Sequence, residues 1–152
     1  MDASEVKRIV EAHLSDLVTV MWLGDWRITV EYGPTSSERW AASCDRKAAD
    51  YNMATITIAP HRHYSEEDVV RTLVHELLHV ALAPLDLYRD IITNLTPEMS
   101  ELGSPTALAE QRAWTHAIER SVTFLERGIA RRLWERPAET VDSPQEEEHV
   151  EA

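Results

Sequence analysis

At 152 residues the chain has the length of one domain with one sizeable core, so a single active site is expected. Its 43% apolar content with five tryptophans describes a globular chain, and no apolar run approaches the roughly 20 residues of a membrane span. A formal charge of -12 argues against nucleic acid, which is held chiefly by Lys and Arg, and the single cysteine, Cys44, excludes an internal disulfide and a cysteine-built zinc cluster.

The chain opens Met1-Asp2-Ala3-Ser4-Glu5, without the basic segment and apolar core of a secretory signal, so a cytoplasmic location is expected. Residues 4–21 place Val6, Ile9, Val10, Leu14, Leu17, Val18 and Met21 at the three-and-four spacing of a helix with one buried face, with Ser4 as its cap. His13 lies near that stripe and reads as a packed, hydrogen-bonded residue rather than a ligand. After a turn at Gly24-Asp25, Trp26, Ile28, Val30 and Tyr32 alternate with polar residues as in a half-buried strand. Residues 39–45 form a weaker strand candidate, and Met53–Ala59, closed by Pro60, a stronger one. These strands predict a small, largely antiparallel three-stranded sheet in an α+β domain.

Ser65-Glu66-Glu67-Asp68 is a helix start, with Ser65 as cap and acidic residues where the helix dipole favours them. The helix continues through Val69, Val70, Leu73, Val74, Leu77, Leu78 and Ala81, and Pro84 stops it. An irregular connector over 84–103, with helical character near Leu87–Ile92, leads to Ser104-Pro105, which opens a last helix reaching about Leu133. Residues 134–152 read as an acidic disordered tail: from Arg136 to Ala152, Glu139, Asp142, Glu146, Glu147, Glu148 and Glu151 face one Arg, with almost nothing apolar. The domain is therefore expected to span residues 1–133.

The chemistry is concentrated in His75-Glu76-Leu77-Leu78-His79. Two histidines four apart on a helix stand one turn above each other and can aim their rings at one metal ion. Zinc accepts such imidazoles, and Glu76 beside the first ligand can reach a zinc-activated water and act as general base. A catalytic zinc takes a third protein ligand and keeps one position for water. No third histidine follows soon after the motif, which continues Val80-Ala81-Leu82-Ala83-Pro84. The last helix offers Glu110, His116 and Glu119. Glu110 heads an apolar stripe through Trp114, Ala117, Ile118, Ser121 and Leu125 and is the favoured ligand; His116 reads as solvent-facing and Glu119 as a boundary position.

The segment Thr72–Leu82 resembles the zincin metallopeptidases, and a glutamate ligand on a following helix resembles their gluzincin branch. The small size and the order of elements are similar to minimal gluzincin-like metallopeptidases of phage and prophage genomes. The resemblance, over roughly residues 20–130 with only the motif specific, implies zinc on His75, His79 and Glu110, Glu76 as base, and a peptide or protein substrate. It also implies an edge strand that pairs with extended substrate, for which Met53–Ala59 is the candidate. No oxyanion-stabilising group is matched; Tyr64, Tyr88 and His116 are candidates, and His61 and His63 read as loop residues. No nucleic-acid or membrane partner is expected, and the oligomeric state is open. The alternative is a non-catalytic zinc-binding domain with an assembly or regulatory role.

Overall fold

The first helix, α1, spans Ala3–Val20 and buries Val6, Ile9, Val10 and Leu17, members of the apolar stripe visible in the sequence. The computed structural model describes residues 1–48, 52–86, 88 and 105–134. The cap of α1 is Asp2 rather than Ser4: the Asp2 carboxylate accepts from Glu5 N at 2.8 Å and from Ser4 Oγ at 2.6 Å. A carboxylate two residues earlier satisfies a free N–H and meets the positive helix end, so the hydroxyl becomes its donor. His13 is hydrogen-bonded, its Nε2 lying 3.0 Å from Glu66 Oε1 at the start of the motif helix.

Strands β1 (Arg27–Tyr32), β2 (Ala42–Ala48) and β3 (Met53–Ile58) form one mixed sheet in the order β1-β3-β2. β1 runs parallel to β3, pairing Val30 with Ile56, and β2 runs antiparallel to it, pairing Cys44 with Ile56. The α+β class and the order of elements agree with the sequence. β3, however, is central, and its buried Ala54, Ile56 and Ile58 carry most of the sheet's share of the core, joined by Ala42 of β2. Both of its edges are bonded to neighbours, so it cannot receive a substrate strand; among the described residues β1 and β2 are the edge strands. Alternation shows which face of a strand is buried, but not which strands it adjoins.

Helix α2 (Glu66–Ala81) has the expected cap, Ser65 Oγ accepting from Asp68 N at 3.1 Å. It buries Val69, Val70, Leu73, Val74 and Leu77 in the core shared with α1 and the sheet. Full burial of one such side chain is worth about 1.5–3 kcal/mol, so this packing fixes the rotation of α2 and with it the direction of the motif side chains.

Before α2, a short 3₁₀ turn at Pro60–Arg62 leads to His63, which is fully buried. Its neutral ring fits its partners: Nδ1–H donates to Ala59 O at 3.0 Å, and Nε2 accepts from the Thr72 hydroxyl at 3.1 Å. Burial holds its pKa below the ordinary histidine value, against a smaller opposing effect of the Ala59 bond. Above the unfolded-state value the ring is neutral in both states and its contribution is complete; as pH falls through that value the unfolded chain takes up the proton first and stability is lost. Melts from pH 8 to pH 5 are thus expected to show a steeper acid decline for the parent than for His63→Gln; equal slopes would contradict this role for the burial.

Helix α3 (Pro105–Trp134) starts at the expected proline. It lays Ile118, Val122 and Ile129 on the core, and Trp114 Nε1 donates to Asp86 Oδ1 at 2.8 Å. The helical character expected near Leu87–Ile92 and the acidic tail fall outside the described residues, apart from the helical Tyr88 and Trp134. Among the described residues, no helix is long and apolar enough to cross a membrane.

Candidate metal centre

His75 and His79 project from one face of α2 toward α3, as their spacing requires. Their Nε2 atoms lie 3.3 Å apart. Glu119 of α3 completes the group, with Oε1 at 3.3 Å from His79 Nε2 and Oε2 at 3.7 Å from His75 Nε2. One donor atom from each of the three side chains lies within 4.8 Å of the others, close enough for the group to share a metal ion. Among the described residues, His75, His79 and Glu119 are the one group of three or more metal-ligating side chains with such convergence. The Glu119 side chain is 49% exposed, and ion pairs that open to water contribute little to stability.

Glu110 lies elsewhere. It is exposed, as are all the described side chains from Leu108 to Ala113. The cross-helix pairs Arg71–Glu126, His75–Glu126 and His79–Glu119 show that α3 runs antiparallel to α2. Only two residues of α2 follow His79, whereas Glu110 stands nine residues before Glu119, a rise of about 13 Å that carries it past the end of α2. The packed side of α3 is also rotated from the stripe expected: Ile118, Val122, Glu126 and Ile129 face inward, while Ala117, Ser121 and Leu125 are exposed. Glu119 borders that inward side. His116 is exposed and does not line the cleft.

Behind the group lies a residue that sequence reasoning missed. Glu126 is buried, and its Oε2 accepts from His75 Nδ1 at 3.1 Å. Its Oε1 accepts from Arg71 Nε at 3.1 Å and from an Arg71 terminal nitrogen at 3.0 Å. With the proton of His75 on Nδ1, the Nε2 lone pair faces Glu119 and His79, the tautomer a metal ligand requires. Arg71 compensates the buried carboxylate charge. The signal was in the spacing: Arg71 stands one turn before His75, and Glu126 two turns after Glu119, on the same side of each helix. Glu126→Gln is expected to weaken zinc binding by about 10- to 100-fold, the usual cost of losing such a partner, as measured by competition with a chromophoric chelator. Unchanged affinity would show that Glu126 does not orient the ring.

The group opens onto a cleft of about 910 Å³ between α2, α3 and β2. Glu76 is buried at its wall, and residues 41–44, from just before β2 into that strand, form the opposite side. Of the candidates for stabilising an oxyanion, Tyr64 lines the cleft and Tyr88 and His116 do not. His61 and His63 stand in the turn before α2, with His61 exposed. Comparison with protein families, characterised proteins and solved structures gives no match for this chain.

Proposed function

We propose that the chain is a zinc-dependent metallopeptidase of the zincin class in its gluzincin arrangement, with His75, His79 and Glu119 holding the ion and Glu76 acting as general base. The observation that carries this reading is the convergence of the three donors at the head of a cleft that also contains Glu76. The similarity of the motif to minimal phage and prophage metallopeptidases supports the same class. A bound zinc ion would polarise the substrate carbonyl and make water more acidic.

The remaining chemistry falls to the side chains. Glu76 takes a proton from the attacking water and returns it to the amide nitrogen as the C–N bond breaks, leaving a carboxylate and an amine. Glu126, backed by Arg71, keeps the His75 Nδ1 proton away from the metal side. β2 is the edge strand beside the cleft, in place of the expected β3, and extended peptide can pair there through its backbone. The cytoplasmic assignment continues to rest on the sequence alone.

The purified chain, loaded with zinc, is expected to cleave an unfolded protein substrate, and to stop when a chelator removes the metal. A second reading draws on the placement of donors on two helices: zinc could clamp α2 to α3 in a non-catalytic domain. That reading gains if zinc raises the melting temperature while no peptide bond is cut. Metal analysis that finds another first-row ion would keep the site and change its metal.

A further inference from the structure

We propose that the end of the cleft remote from the histidines is a carboxylate subsite formed by Arg39 and Arg62, which selects an acidic group on an extended peptide. The inference rests on the peptide-binding reading of the cleft. Its first support is a contrast of charge. The protein is strongly acidic, and the cleft carries Glu76, Glu119 and Glu126 beside the histidines, yet its lining also includes Arg39 and Arg62, which come from the segments just before β2 and α2. Among the described residues, neither Arg39 nor Arg62 is ion-paired, whereas Arg71, deeper in the cleft, is committed to Glu126. Arg62 donates to the Glu38 carbonyl, a neutral acceptor that leaves its charge and most of its donors available. The nearby Asp68 carboxylate is turned to the start of α2, accepting from Tyr64 N at 3.3 Å.

The second support is preorganisation. Residues 35–40 are tied into a turn: Thr35 Oγ1 donates to Ser37 O at 2.7 Å and lies 3.1 Å from Trp40 O, and Trp40 N donates to Ser37 O at 3.0 Å. Arg39 N reaches Ser37 Oγ at 3.3 Å, and Arg62 pins the same turn from the other side. Two forked donors on a fixed frame suit a planar carboxylate, and charge-assisted bonds of that kind are the strong ones. The exposed rings of Trp40 and Tyr64 line the same end and offer apolar walls to the stem that carries the acid.

The third support is distance. Arg62 lies in the turn before α2, whereas His75 stands nine residues beyond Glu66, the first residue of that helix, so much of the length of α2 separates the two. The acid is therefore expected a few residues from the bond that lies at the metal group. It could be a Glu or Asp side chain or the free carboxyl end of the peptide.

The test measures binding rather than cleavage. Glu76→Gln protein loaded with zinc is titrated into short peptides bearing an uncharged fluorophore. In one arm a single Glu is walked along an alanine peptide with an amidated end; in the other the same all-alanine peptide carries a free C-terminal carboxylate. One Glu position, or the free terminus, is expected to tighten binding about tenfold over the neutral amide, with the preference lost when Arg39→Ala and Arg62→Ala are added. A response in the first arm assigns the site to a side chain, and one in the second to a chain end. The proposal is overturned if no peptide binds more tightly than the neutral one, or if the preference survives in the double variant with its circular dichroism unchanged. Failure of the parent protein to cut peptides that show the preference would defeat the peptidase reading and leave the subsite standing.

Discussion

Glu76→Gln is expected to bind zinc as the parent does and to lose at least about 100-fold in turnover, the low end of what a positioned general base contributes. Glu76 is buried in the cleft wall next to His75 in sequence, but it is not one of the three convergent donors. The amide preserves shape and polarity and removes only the proton acceptor. Metal content, melting temperature and peptide affinity should stay near the parental values while kcat falls. The same variant also separates this protein from a contaminating protease, whose activity would be unaffected. Cleavage at the parental rate would sink the mechanism while leaving the metal centre intact.

The second large effect concerns the proposed third ligand. Glu119→Ala is expected to lower zinc affinity by more than about 100-fold, beyond what the loss of an outer partner costs, whereas Glu110→Ala should bind zinc like the parent. Both side chains are substantially exposed, so neither change should disturb folding by more than about 0.5 kcal/mol, and the comparison isolates the metal. Isothermal titration of the metal-free proteins reads it directly. The opposite ranking would restore Glu110 and would require α3 to sit differently on α2.

The helix patterns carried most of the architecture into the sequence. The apolar stripe of α1, the Ser65 cap and the alternation in β1 and β3 each follow from local chemistry, and His75 and His79 meet because four residues make about one turn. What local chemistry does not contain is the offset between elements. The exchange of Glu110 for Glu119 depends on how far α3 slides along α2, set by Trp114 on Asp86 and by Ile118 and Val122 on the core. The central place of β3 depends on where the chain returns after β2. Glu126 escaped for a related reason: a glutamate among arginines on a long helix looks solvated until Arg71 and His75 are seen beneath it.

The antiparallel seating of α3 has a consequence for how the protein assembles. His75 and Glu126 are 51 residues apart, and a contact at that separation must overcome the entropy of closing a long loop. α1, the sheet and α2 can bury much of the apolar core among themselves, while α3 adds a few side chains and the carboxylates. A metal ion held by His75, His79 and Glu119 would join α2 to α3 and so would be expected to slow the undocking of α3.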